Sequence, residues 1–260
     1  MSSNWRTRAR KAAPKPVVFL YRFLRDWRDI AALAGFLADR RFELPLGRRL
    51  WLIRRIYQIS LNVQCPHTQA EVLAYMREIL ALPADRPGAV VEAGCFKGGS
   101  TAKFSLAAEI AGRELLVFDS FEGIPSNAED HGTDIFGNPA GFARGSFRGG
   151  LEEVQHSVET WGAPGVCRYV KGWFDDTMPS FEEPVASAYI DVDLVSSTQT
   201  CLRYLVPRLS SGGAIYSQDG HLPKVLEVFD DDAFWSETVG ISKPEVHGFG
   251  TSKLIHFRLS

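Results

Sequence analysis

At 260 residues, with 45% hydrophobic and 23% charged side chains, the chain has the size and composition of one large globular domain with an extension. That excludes a disordered, collagen-like or low-complexity chain, and the longest apolar run, residues 30–38, is about half the length of a membrane span. The net charge of −2 hides a split: residues 1–55 hold 14 Lys and Arg against four acids, and residues 56–260 hold 15 against 27. An acidic body with a basic arm that meets something negative is the expectation.

Residues 1–16 are polar and basic and read as loose. From 17 to about 40, apolar residues recur at helical spacing around Arg22, Arg25 and Arg28, and those charges argue against a cleaved signal peptide. Pro45 breaks the pattern, and a second basic helix over 46–60 carries Trp51, Ile53, Ile56 and Tyr57. Helices of this kind pack on the body or on a second copy in a homo-oligomer, or make a peripheral membrane contact through residues 1–60. Residues 1–60 therefore read as a helical extension and 61–260 as the functional domain. Arginines alternating with bulky apolar groups match no nucleic-acid-binding motif, so nucleic acid is not an expected partner. Cys65, Cys95, Cys167 and Cys201 are scattered without paired spacing, which points to neither zinc nor disulfides and to a reducing cytoplasm.

Beyond residue 69 the chain alternates. A helix is expected over 69–82, a buried strand over 89–93, a helix over 100–112 with Ser100 as N-cap, and a strand over 115–118. Residues 123–150 are too long for a connector and read as a lid or binding loop. A helix follows over 151–161, then strands over 167–171 and 187–191, a helix over 197–209, a strand over 213–217 and a helix over 221–235. Two short runs, 246–249 and 253–258, suggest a terminal hairpin. The alternation predicts an α/β fold with a mostly parallel seven-stranded sheet covered by helices and closed by an antiparallel hairpin.

Between the first strand and its helix lies Glu92-Ala93-Gly94-Cys95-Phe96-Lys97-Gly98-Gly99-Ser100. Glycines there permit a tight turn and close approach of a ligand, and the helix N-terminus favours an anionic group. Asp119 ends the second strand, where a nucleotide-binding fold places the acid that bonds ribose hydroxyls. The spacing is not that of an NAD fingerprint and there is no phosphate loop, which leaves an adenosyl-type ligand. Asp191-Val-Asp193 and Gln218-Asp219-Gly-His221 close two further strands, so their side chains are expected to converge at the carboxyl edge of the sheet. Three carboxylates and an amide oxygen suit Mg²⁺, and a carboxylate or imidazole beside it can take a proton from a hydroxyl. Trp173 and Phe174 either stack on a ring or fill the core.

These segments resemble the macrocin O-methyltransferase family over about residues 62–258. The resemblance is carried by Val90 to Gly99, by Phe118-Asp-Ser-Phe-Glu-Gly-Ile-Pro125, by Leu151-Glu-Glu-Val154, by Val170-Lys-Gly-Trp-Phe-Asp-Asp-Thr-Met-Pro179, by Ile190 to Thr198 and by Leu209 to Gly213. It implies a Rossmann-like class I methyltransferase that uses S-adenosylmethionine and Mg²⁺ to methylate a sugar hydroxyl of a small molecule or glycan. By position it assigns Glu92, Ala93, Gly94, Cys95 and Phe96, with Gly98 and Ser100, to the cofactor. Asp119, Ser120, Phe121 and Gly123 join them, and Gly172 and Trp173 lie near the adenosyl pocket. It makes Asp191 and Asp219, with Gln218, the metal ligands and Asp193 the base. The family has two consecutive aspartates where this chain has Gln218-Asp219, and His221 is a second candidate base that would make metal dispensable. Two alternatives remain at this point: a metal-independent enzyme acting on a lipid-linked or polysaccharide sugar, and a non-catalytic binding protein.

Overall fold

The computed structural model describes residues 27–259, so the expected loose segment and the start of the first helix lie outside the described residues. Helix α1 spans Trp27–Ala38 and α2 spans Leu46–Asn62. Two arginines of α2, Arg49 and Arg55, bond to backbone carbonyls. Arg49 is buried and donates to the carbonyls of Phe36, Leu37, Phe42 and Leu44 at 2.7–3.2 Å. A cation there satisfies carbonyls that the end of α1 leaves without helical partners. Arg55 does the same for the carbonyls of Thr160 and Trp161. Phe36, Leu52, Ile56 and Ile59 carry both helices into the same apolar cluster as the body.

Helix α3, Gln69–Leu80, starts in a capping box: the Thr68 hydroxyl accepts from Glu71 N–H while the Glu71 carboxylate accepts from Thr68 N–H. Strand β1 (Ala89–Ala93), helix α4 (Gly99–Ile110) and strand β2 (Leu115–Asp119) follow. After the long loop come α5 (Leu151–Trp161), β3 (Cys167–Lys171), the short α6 (Phe174–Thr177), β4 (Val185–Ile190) and α7 (Val195–Leu205). Strand β5 (Leu209–Ser217), α8 (Pro223–Asp230), a π-helical turn (Phe234–Val239) and β6 (Ile255–Arg258) complete the chain.

The sheet order is β3-β2-β1-β4-β5-β6, parallel except for β6 against β5. Side chains alternate between two cores. Val90, Leu115, Val117, Tyr189 and Tyr216 face α1 to α5, while Val91, Leu116, Phe118, Ile190 and Ile215 face α6 to α8. A sheet covered on both faces needs strands apolar on both faces, which is why β1, β2 and β4 read as continuous apolar runs.

Two expectations are corrected. The described residues hold six strands rather than seven, because residues 246–249 make a single bridge, His247 to His256, before Gly248 and Gly250 turn the chain at positive φ. Ser100 is not the N-cap of α4. Gly98 occupies that position at φ 77, a left-handed conformation that glycine adopts without cost.

Candidate active site

The strand order reverses between β1 and β4, and there the loops after both strands meet. Gly94 has φ 85, and a Cβ on it would lie 2.0 Å from the Asp191 carbonyl oxygen, so only glycine permits the approach. Asp119 ties this turn to its neighbour, accepting from Cys95 N–H at 2.8 Å and Phe121 N–H at 2.6 Å. A cavity of about 270 Å³ opens at this switch point.

Of the residues assigned to the cofactor, Gly94, Phe96, Asp119, Ser120, Gly123 and Trp173 line that cavity. Glu92, Ala93, Cys95, Gly98, Ser100, Phe121 and Gly172 do not, and stand behind or beside its walls. Glu92 is fully buried, and among the described residues neither of its oxygens has a hydrogen-bond partner. Burial pushes its carboxyl up to about 8.

The long loop covers this opening. Ile124 N–H donates to Ser146, and Gly145 N–H to Ile124, closing its neck. Glu129 accepts from Val195 N–H at 2.7 Å, Ser196 N–H at 3.1 Å and the Ser196 hydroxyl at 2.8 Å, capping the start of α7 from a distance in sequence. Phe142 and Phe147 from the loop, with Phe174 and Trp173, give the cavity an aromatic wall. Arg144 and Arg148 are exposed and lie outside the lining.

Asp191, Asp193 and Asp219 do converge, each with a carboxylate oxygen within 4.8 Å of the others. The backbone that brings them together is not extended, since Asp193 sits at φ 62. Asp219 Oδ2 accepts from the N–H groups of Val192 and Asp193 at 2.9 and 3.0 Å and holds that turn. Its Oδ1 is buried without a partner among the described residues.

His67 reaches the trio from the connector between α2 and α3, donating from Nε2 to Asp191 Oδ2 at 2.8 Å. Electrostatics divide the three acids. Burial would raise Asp191, but His67 outweighs it and holds that carboxyl below its ordinary range. Burial, then Asp219 and Asp191, push Asp193 well up. Burial and Asp191 raise Asp219 to about 7, against the pull of its two N–H donors. His67 is raised to about 10, burial being overcome by Cys65 and Asp191. Lys253 and His221 also line the cavity, and burial followed by Lys253 lowers the imidazole of His221. Gln218 is buried, and its Oε1 accepts from the Tyr189 hydroxyl at 2.6 Å.

Three close carboxylates with one orphaned buried oxygen fit a hard divalent cation. The sequence pattern places the acids but gives neither His67 nor Lys253 a role. Only the position of His67 next to a helix cap marks it locally.

A glycine turn after β1, an acid ending β2 and a covered cavity at the switch point define the fold of a Rossmann-like methyltransferase. The solved structure of the O-methyltransferase NovP matches it with a TM-score of 0.61 at 21% identity, covering 81% of this chain and 98% of that one. The calicheamicin methyltransferase CalS11 matches at 0.53 and 18% identity over 84% and 95%. At such identities the likeness concerns the fold alone.

The chain belongs to the macrocin O-methyltransferase (TylF) family, which it matches over residues 71–244. It is 33% identical over 172 residues to the tetracenomycin 4'-O-methyltransferase of Streptomyces olivaceus that carries the name 8-demethyl-8-(2,3-dimethoxy-alpha-L-rhamnosyl)-tetracenomycin-C 4'-O-methyltransferase. The match covers 63% of this chain and 64% of that protein. A mycinamicin III 3''-O-methyltransferase of Micromonospora griseorubida is 32% identical over 54% and 58% of the two chains. The matched stretch thus spans less than two thirds of these curated relatives.

Proposed function

We propose that the chain is an S-adenosylmethionine-dependent O-methyltransferase that acts on a sugar hydroxyl. The observation that carries this reading is the acid trio beside a glycine-turned cavity at the β1/β4 switch point, in a chain of this family. The sulfonium of the cofactor is already activated. What remains is to align the acceptor oxygen with the methyl group and to remove its proton. Asp119 and Ser120, which line the cavity, are the proposed partners of the ribose hydroxyls, and Trp173 and Phe174 are the proposed ring contacts for the base. Asp193 is the proposed base, with His221 as the competing group. Asp191 and Asp219 would hold Mg²⁺, which when bound would gather acceptor oxygens and lower the pKa of the hydroxyl. Gln218, whose Oε1 accepts from the Tyr189 hydroxyl and which does not line the cavity, is left out of the proposed ligand set. Relatives named for rhamnosyl and mycinamicin substrates make a deoxysugar glycoside the acceptor class to try first.

Calorimetric titration with S-adenosylhomocysteine, once with Mg²⁺ and once with EDTA, tests the cofactor half. Micromolar binding in both is expected, with Mg²⁺ needed only for turnover on the glycoside. No binding in either condition would remove the methyltransferase reading and restore the binding-protein alternative.

A second reading concerns the arm. Leu46, Leu50 and Trp51 are among the exposed large apolar side chains, and Arg48 stacks on Trp51 with its guanidinium 4.1 Å from the ring. No helix among the described residues is long and apolar enough to cross a membrane. A basic helix with exposed Leu and Trp fits the surface of an anionic bilayer. Co-sedimentation with vesicles containing anionic lipid should retain the full chain and lose it when Leu50 and Trp51 are both replaced by Glu. Equal retention of the two chains, or a dimer that the double replacement disrupts, would assign this face elsewhere.

A further inference from the structure

Behind the acid trio runs a column of side chains from three separate segments. Lys103 is fully buried in α4 and donates from Nζ to Cys65 Sγ at 3.5 Å. The same sulfur lies 3.6 Å from His67 Nδ1, and His67 Nε2 reaches Asp191 Oδ2 at 2.8 Å. The Tyr189 ring meets the imidazole edge-on at 5.8 Å between centroids. Gly99 makes room for the column: a Cβ there would fall 2.8 Å from the Cys65 Cβ. Both ring nitrogens of His67 are therefore engaged and Tyr189 packs against the ring, which leaves the imidazole a single orientation.

We propose that His67 is a positioning residue for Asp191, orienting that carboxylate to bind a divalent cation. A cation bound by few carboxylates depends on where each oxygen points, and an outer hydrogen bond sets that direction. Here the bond engages Oδ2 of the same carboxylate that also offers an oxygen to the cluster with Asp193 and Asp219. Cys65 and Lys103 hold the far side of the ring, so the connector before α3 becomes part of the site although only Pro66 of it lines the cavity. A core histidine that merely fills space would not bring its nitrogen to the one acid shared with the cluster.

The assignment rests on the proposed function, in which Asp191 holds the metal, and its test separates the two. Mn²⁺ alone is titrated into the full-length wild type, His67→Gln and His67→Asn, with free ion read by electron paramagnetic resonance. S-adenosylhomocysteine affinity is measured on the same samples. The amide nitrogen of Gln can stand near the imidazole Nε2 and donate to Asp191, whereas that of Asn stands near Nδ1, on the Cys65 side. Outer-shell losses of this kind weaken metal binding by about 10–100-fold. The expected result is that loss in His67→Asn, recovery to within about threefold of wild type in His67→Gln, and unchanged S-adenosylhomocysteine affinity throughout. Equal Mn²⁺ affinity in wild type and His67→Asn overturns the assignment. So does an equal loss in both variants, which would mark a structural role. A wild type that binds S-adenosylhomocysteine but not Mn²⁺ removes the metal reading and this assignment together. Binding of neither removes the methyltransferase reading itself.

Discussion

Replacing Asp193 by Asn should lower kcat by about two to four orders of magnitude, the usual worth of a positioned general base. The substitution is informative because it changes little else. Asn tolerates the left-handed backbone at φ 62 as readily as Asp, so no strain is introduced. The N–H of residue 193 still donates to Asp219 Oδ2. Removing one of three neighbouring carboxylates also relieves repulsion, so the variant should melt at or above the wild-type temperature rather than below it. Affinity for S-adenosylhomocysteine should stay within about twofold, since Asp193 acts on the acceptor side. Burial, with Asp219 and Asp191, raises the Asp193 pKa, and a base so raised works closer to neutral pH than an ordinary carboxylate. The acid limb of the kcat profile should accordingly lie above the usual carboxylate range and vanish in Asp193→Asn. His221→Asn is the companion variant. A larger fall there, with Asp193→Asn nearly intact, would move the proton to the imidazole.

Much of this site was readable before any coordinates, for reasons that differ residue by residue. Asp119, Asp191 and Asp219 stand at or just beyond the ends of apolar runs, and in a parallel sheet every such end lies on one edge. Their convergence follows from topology and does not need side-chain detail. Gly94 was legible for a related reason: the loops after β1 and β4 must meet where the strand order reverses, and a side chain there would strike the Asp191 carbonyl. His67 was not legible. Its partner lies 124 residues away, and nothing in Cys65-Pro-His-Thr distinguishes a ligand-orienting histidine from a buried one. The cap of α4 went to Gly98 because a left-handed residue ends the glycine turn two positions before Ser100. A basic arm beside an acidic body suggests acids as partners, yet Arg49 and Arg55 bond to carbonyl oxygens that helix ends leave without helical donors. Charge pattern foretold the basic arm but not its partners.

Glu92 yields the second large effect, on stability. Its ordinary pKa of 4.5 applies to the unfolded chain, while burial raises it to about 8 in the fold. Between those values the folded protein keeps a proton that the unfolded chain has lost. The contribution is therefore fully present below pH 4.5 and is lost as pH rises toward 8, by at most about 1.4 kcal/mol per unit. Across two units inside that window the loss is about 2–3 kcal/mol, a sizeable part of the 5–15 kcal/mol typical of a folded domain. Glu92→Gln keeps the shape and removes the titration. At pH 5.5 the two chains should be close, or the variant weaker by about 1 kcal/mol because an amide group goes unpaired. At pH 8.5 the variant should be the more stable, so the two curves cross. Urea midpoints at several pH values measure this directly, and the other titrating groups cancel in the difference because both chains carry them. Parallel curves would mean that Glu92 is ionised in the fold at neutral pH. It would then need a counter-charge or a solvating partner to offset its burial between the strands of the sheet.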